Sequence, residues 1–310
     1  MARPTVTDVH QDAVLTNFSV SFMQSASAYI GNRAMPTITV SKESDKYYVF
    51  DQPDWFRNEA DVRAELSTGP ESGYDLSTDS YQTIPYSMAT YVSDEARANQ
   101  DPGLELDRTA VEFATDKILM MREKLASTLL FATGSYNSSA AAGTVWTDAA
   151  ADIFADVNTA KETIAGAIGR EPDTLIINDQ TLNALKAHPD IQERIKYTQT
   201  GIATEDLLAS LFELRQVLVG RAIENTSGKG DAAVYSRIWG GSAAFLYSPA
   251  AAGTRSLCFA KWFNLASQNF LTERWRVANG GAGDGFRVRA AFDEKVVSNL
   301  AGYLLTGVTT

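Results

Sequence analysis

The stretch DPGLELDRTAVEFATDKILMMREKLASTLLFATG, residues 101–134, decides how the rest of the chain is read. Asp101 can accept from the first free N–H groups of a helix, and Pro102 suits the first helical position because its missing N–H has no partner there. Leu104, Val111, Ala114, Ile118, Met121, Leu125 and Leu129 then share one face at helical spacing. Gly134 supplies a left-handed stop. Such a helix would run about 45–50 Å, about three times the mean globular length. A rod of that length with one apolar face predicts a scaffold element laid across a sheet.

Working outward, 310 residues of which 45% are hydrophobic can bury a substantial core and divide into more than one domain. The formal net charge of −11 excludes a general basic surface for duplex nucleic acid, which needs clustered Lys and Arg. The single cysteine, Cys258, sits in the apolar run Leu257-Cys258-Phe259 and reads as a small buried hydrophobe. It permits no intrachain disulfide, which fits assembly in a reducing cytoplasm. No basic n-region precedes an apolar h-region, and no apolar run approaches ~18 residues, so the chain reads as soluble and non-secreted.

N-terminal to the helix, residues 1–40 read as an arm. Phe18, Val20 and Phe22 alternate with small polar residues, and Met35-Pro36-Thr37-Ile38-Thr39-Val40 gives a second extended piece. Lys46-Tyr47-Tyr48-Val49-Phe50 reads as a strand and Ser80-Tyr81-Gln82-Thr83-Ile84-Pro85-Tyr86 as its return. Between them residues 51–78 are polar, with a short helix at most over residues 59–66. So long a connection inside a compact domain is usually functional or disordered. Trp55, Phe56, Leu66 and Tyr74 argue against disorder, because disordered tracts are poor in such residues. The expectation is a protruding hairpin whose aromatics dock outside the chain; the alternative is that they fold back on their own subunit.

C-terminal to the helix, residues 135–147 form a small-residue loop, and Ile153, Val157, Ala160, Ile164 and Ala167 mark a second helix ended by Gly169. Asp173-Thr174-Leu175-Ile176-Ile177-Asn178 is a buried-strand signal, followed by a helix capped by Asp179 and broken at His188-Pro189. A helix over residues 204–214, capped by Thr204, leads to a second buried strand, Val217-Leu218-Val219-Gly220. Further strands are expected at residues 243–247, 257–259, 274–277, 285–289 and 296–305. No repeat of 20–50 residues is visible, and the class is α+β.

The same residues offer few catalytic or ligating patterns. With only His10, His188 and Cys258 available, no His/Cys metal cluster can be assembled. Neither histidine lies near a G-x-S-x-G elbow. Gly228-Lys229-Gly230 lacks the earlier glycine and the following Ser or Thr of a phosphate loop, and reads as a turn. Residues 280–285 fail the G-x-G-x-x-G pattern because Phe286 stands at the last glycine position. Asp51/Asp54 and Glu59/Asp61 read as solvated loop carboxylates, and no cofactor is called for.

Taken in order, these segments resemble a tailed-phage major capsid protein of the HK97-like fold. The resemblance rests on Asp12-Ala13-Val14-Leu15-Thr16-Asn17, Ala34-Met35-Pro36, Lys46-Tyr47-Tyr48, Trp55-Phe56-Arg57 and the return from Tyr81 to Tyr86. It continues through Asp94-Glu95, Asn99-Gln100-Asp101-Pro102, Val217-Leu218-Val219-Gly220-Arg221-Ala222, Ile238-Trp239-Gly240 and Phe245-Leu246-Tyr247.

The resemblance implies an N-arm (1–41), an extended E-loop hairpin (42–95), and a peripheral domain with the spine helix and its sheet (96–150). It also implies an axial α/β domain (151–285) and return strands to the peripheral domain (286–310). The function it implies is structural: a non-enzymatic subunit that self-assembles as hexamers and pentamers into an icosahedral virion shell around double-stranded DNA. Trp55, Phe56, Arg57, Arg63 and Tyr74 would then contact a neighbouring subunit. A separate scaffold protein, or a scaffolding segment already removed, is implied, with a portal and a decoration protein as further partners, assembly in the host cytoplasm, no membrane and no sequence-specific DNA contact. Lys42 and Lys46 sit at the loop base while its outer part carries Arg57 and Arg63, which argues against lysine crosslinking of subunits. Two other readings stand beside this one: an encapsulin-type compartment shell, and a soluble enzyme using surface carboxylates.

Overall fold

The computed structural model describes residues 24, 26–50, 52–63, 65, 69, 71–100, 105–196, 204–250, 253, 255–277 and 282–309. The expected cap at Asp101-Pro102, Leu104, the arm segment with Phe18, Val20 and Phe22, and residues 279–281 lie outside them.

The chain runs through α1 (Gly31–Ala34) and β1 (Thr37–Val40) into a hairpin of β2 (Ser44–Phe50), α2 (Gln52–Phe56) and β3 (Leu76–Gln82). Next come β4 (Ile84–Ser93), α3 (Asp94–Ala98), the long α4 (Leu106–Leu130) and β5 (Ser138–Ala141). An α/β stretch follows: α5 (Ile153–Ile168), β6 (Thr174–Asn178), α6 (Asp179–Ala187), α7 (Pro189–Ile195), α8 (Glu205–Leu211) and β7 (Gln216–Gly220). The remaining strands are β8 (Ile223–Asn225), β9 (Tyr235–Arg237), β10 (Ala243–Leu246), β11 (Ala260–Leu265), β12 (Leu271–Arg276), β13 (Gly283–Val296) and β14 (Gly302–Thr306).

Two five-stranded sheets organise these elements. In the first, β4 runs antiparallel along one edge of β13, from Ser93 opposite Gly283 to Ile84 opposite Phe292. β12 and β11 pair in succession along the other edge, and β1 adds to β11 in parallel. The second sheet has the order β5-β14-β10-β6-β7, with β6 and β7 parallel. All five residues of β6 are buried, as parallel strands covered on both faces require.

The expected domain boundaries do not coincide with these sheets. β11 and β12, expected within residues 151–285 alongside β6 and β7, lie in the first sheet beside β13. β14, expected to return to the peripheral domain, sits between β5 and β10 in the second. Alternation of apolar residues marks a strand as buried but does not say which distant partner it joins.

α4 lies against the first sheet, as expected of the long rod, but it is shorter and rotated. Its 25 residues span about 37 Å, and Gly134 falls in a separate 3-10 turn, Thr133–Ser135, past the C-cap at Phe131. The buried face is the row Ala110, Ala114, Ile118, Arg122, Ala126 and Leu130, flanked by Glu123 and Ser127. Val111, Leu125 and Leu129 are half-buried, and Met121 is 40% exposed. The helix seats on this i, i+4 row because its small alanines permit close approach to the sheet and because its two buried charges find partners.

Those partners are specific. The Glu123 carboxylate accepts from the backbone N–H of Ile30 at 2.8 Å, that of Gly31 at 2.7 Å and Trp239 Nε1 at 2.7 Å. The Arg122 guanidinium donates to Asn264 Oδ1 at 3.2 Å and lies 4.4 Å over the Trp262 ring. Burial raises the Glu123 carboxyl above its usual range and lowers Arg122 to about 10.

Elsewhere the caps decide helix ends. Asp152 accepts from Ala155 N at the start of α5, and Gly169 ends it at φ +66°. Thr204 accepts from Leu207 N, as expected. The cap of α6 is Asn178, not Asp179: its side chain accepts from Thr181 N while Asp179 holds Arg237.

Candidate subunit interface

The hairpin root is fixed to its own sheet. β2 and β3 pair from Ser44 opposite Gln82 to Phe50 opposite Leu76. At the root, the rings of Tyr47 and Tyr81 stack on Phe263 of β11 with centroids 5.5 and 4.7 Å away. Gln82 N donates to Asp293 Oδ2 at 2.9 Å and Thr83 N to Glu43 O at 2.7 Å. Three aromatic rings and a buried carboxylate thus aim the ribbon.

The far end is different. The short helix forms at Gln52–Phe56 rather than at the expected residues 59–66, because Pro53 presets a first-turn φ and Asp54 suits the positive helix start. Asp54 also accepts from Asp75 N at 2.7 Å, closing the loop. Trp55 and Tyr74, expected as interface residues, come together with centroids 6.1 Å apart. Phe56 lies over Gly169, where an added Cβ would stand 3.6 Å from its ring, and Gln52 Nε2 donates to Ala167 O. The end of the hairpin therefore touches its own α5. Arg57 is held inside the loop by Glu59 at 3.1 Å and Asp54 at 3.7 Å. Arg63 stands exposed, apart from the aromatic pair.

Despite these contacts the end stays open to solvent. Trp55, Phe56 and Tyr74 are 62%, 61% and 63% exposed, and Tyr48, Val62 and Leu76 are exposed beside them. Large apolar side chains gathered on one polar-rimmed projection mark an interaction surface rather than scattered surface hydrophobes. Residues 44–82 also carry nine acidic and three basic side chains, a net −6.

A second surface lies on the open face of the first sheet. The even-numbered residues Phe286, Val288, Ala290 and Phe292 of β13 are buried under α4, so Arg287 and Arg289 project from the opposite face. Opposite them on the same face stand Tyr91 of β4, 66% exposed, and Leu271, Glu273 and Trp275 of β12. Tyr91 meets Trp275 edge-on with centroids 5.9 Å apart, and the Arg287 guanidinium lies 5.5 Å over Trp275. Glu273 pairs with Arg287 at 2.6 Å and with Arg289. The alternation Arg287-Val288-Arg289 carried the signal: in a strand buried on one face only, alternate arginines must point away from the core.

At the ends of this sheet the charges are paired. Asp284 is held by Arg97 at 3.0 Å and by Arg274 and Arg276, and hydrogen bonding to Arg274 lowers its carboxyl below the usual range. Glu294, beside Asp293 and turned to the α4 side, is pushed up to about 7, chiefly by burial.

Among the described residues no group of three His, Cys, Asp or Glu side chains is placed to hold a metal ion. Two concavities of about 160 and 200 Å³ are lined by Phe154, Lys161, Arg194 and Phe212, and by Arg33, Pro36, Arg215 and Ser248. No described helix is long and apolar enough to cross a membrane.

Comparison with known proteins places this architecture. The family described as phage major capsid protein E matches residues 132–260. The major capsid protein of Burkholderia phage BcepMu is 31% identical over 247 residues, covering 77% of this chain and 76% of that protein. The crystal structure of a phage-related protein from Bordetella bronchiseptica RB50 superposes with a TM-score of 0.73 at 25% identity, over 92% of this chain and 93% of that one. The capsid structure of cyanophage P-SCSP1u shares the fold, with a TM-score of 0.64 at 8% identity over 98% and 94% of the two chains. With that likeness over most of its length and an α+β capsid architecture, the chain belongs to the phage major capsid proteins, and is a structural shell subunit of the virion with the HK97-like fold.

Proposed function

We propose that this subunit builds an icosahedral shell of hexamers and pentamers around double-stranded DNA, and that the end of its hairpin seats on a neighbouring copy. The observation that carries this reading is the cluster of Trp55, Phe56 and Tyr74 at the end of the ribbon, which stays largely exposed although Phe56 and Gln52 touch α5. An acidic, aromatic projection needs a basic, aromatic acceptor. The open sheet face with Tyr91, Trp275, Arg287 and Arg289 has that chemistry, and carries two guanidinium groups for one carboxylate. Opposite charges choose partner and register while the buried rings supply most of the affinity.

The subunit works by assembly, not by catalysis. The sheet with β4, β11, β12 and β13 under α4 serves as the peripheral part and the sheet with β6 and β7 as the axial part. The net charge of −11 suits an inner wall that holds DNA without gripping it. A separate scaffold protein guides closure in the host cytoplasm, where the unpaired Cys258 stays reduced, and a portal and decoration protein complete the particle. The phage reading is favoured over a compartment shell because the 31%-identical relative is a phage capsid protein.

The test is a triple substitution, Trp55→Ser, Phe56→Ser and Tyr74→Ser, made in cells that otherwise assemble shells. Folded subunits with the wild-type circular dichroism spectrum and no closed shells by negative-stain microscopy are expected. Wild-type yields of normal shells would refute the docking role.

A further inference from the structure

The end of the hairpin has a seat on its own subunit, at the C-terminus of α5. Gly169 closes that helix at φ +66°, in the left-handed region that glycine reaches without steric cost. With no Cβ it gives the Phe56 ring a flat floor: an added Cβ would stand 3.6 Å from Cε1 and 3.8 Å from Cζ. Gln52 Nε2 donates to Ala167 O, one of the last four carbonyls of α5, which a helix leaves without partners of its own. Gln52 and Phe56 are the first and last residues of α2, so both ends of that short helix are held.

The seat is a poor one. Phe56 remains 61% exposed there, so little of its ring leaves water. Electrostatics also oppose the contact. Residues 44–82 carry a net −6, and the C-terminal end of a helix is the negative end of its dipole. Arg170 and Glu171, the next residues, cancel in charge. The open sheet face of a neighbour, with Trp275, Arg287 and Arg289, offers an aromatic ring and positive charge instead.

Resting on the docking role set out above, we propose that the seat on α5 is a latch. It holds the hairpin end in the free subunit and competes with the neighbour's sheet face for it. Only subunits with the end released are competent to join a shell, so the concentration at which shells appear scales inversely with the released fraction. Gln52 belongs to the latch and not to the docking cluster of Trp55, Phe56 and Tyr74, which lets the two roles be separated. Losing one neutral hydrogen bond loosens the latch about fivefold.

Benzoyl-phenylalanine in place of Phe56 reports where the ring sits. On illumination of dissociated subunits it is expected to link to residues 165–171 of the same chain, and in assembled shells to another copy. Gln52→Ala, and Gln52→Glu, whose carboxylate the helix end repels, are expected to reduce the intrachain link. Both should also lower the subunit concentration at which shells appear by light scattering, about fivefold for Gln52→Ala, in the same assembly reaction. No intrachain link in dissociated subunits overturns the latch, and so does an unchanged threshold in both variants. A link that stays intrachain in assembled shells refutes the docking role itself, and the latch with it.

Discussion

At the residue scale, Glu123 joins segments that lie far apart in the chain. Its three donors are separated from it by 93, 92 and 116 residues, so one carboxylate clamps α1 and the Trp239 loop onto α4. Glu123→Ala leaves three buried N–H groups unpaired and is expected to cost about 3–5 kcal/mol in urea denaturation of the subunit. A loss below about 1 kcal/mol would show that the clamp contributes little. Glu294 makes a prediction of opposite sign. Its folded pKa of about 7 lies above the usual glutamate value, so its contribution is fully present below about pH 4.5 and is lost as pH rises through 7. Glu294→Gln should therefore raise the melting temperature at pH 8 and leave it unchanged at pH 4.5. An equal change at both pH values would contradict the assignment. Neither role was legible in the sequence. A glutamate in a helix reads as a solvated residue until its partners, supplied by distant segments, are known, and Asp293 acts on Glu294 only where burial has removed water.

At the element scale, α4 shows what periodicity can and cannot tell. Ala114 and Ile118 are buried as expected, yet Met121 is exposed and Arg122 and Glu123 take the face assigned to apolar neighbours. Apolar spacing finds the helix; its rotation by part of a turn is fixed by small residues and paired charges that a hydrophobic pattern does not count. Ile118 remains the centre of the contact, 3% exposed. Ile118→Asp places an unpaired charge there and should cost about 5 kcal/mol, comparable with a whole domain's margin. A soluble variant with wild-type unfolding would show that the stripe is not buried. The hairpin was legible for a related reason: aromatic residues in a long polar connection contradict disorder. Its root contacts to Phe263 and its end on Gly169 were not, because both partners lie over a hundred residues away.

At the scale of the whole molecule, the sheets are built from strands remote in sequence, and their membership at β11, β12 and β14 cuts across the expected segments. The order of segments still pointed to the fold, because an aromatic hairpin, a long helix and a parallel strand pair follow one another along the chain. What the isolated subunit leaves open is a matched pair of surfaces, one acidic and aromatic, one basic and aromatic. In the proposed shell these two surfaces bury each other, through many modest contacts in an obligate interface. Completion of the hairpin end by a neighbouring copy, as proposed above, is tested most directly by single-particle cryo-electron microscopy of assembled shells. Trp55 and Tyr74 of one copy are expected to lie buried against Tyr91 and Trp275 of the next. A shell in which those rings face solvent, with Phe56 still resting on its own Gly169, would contradict it.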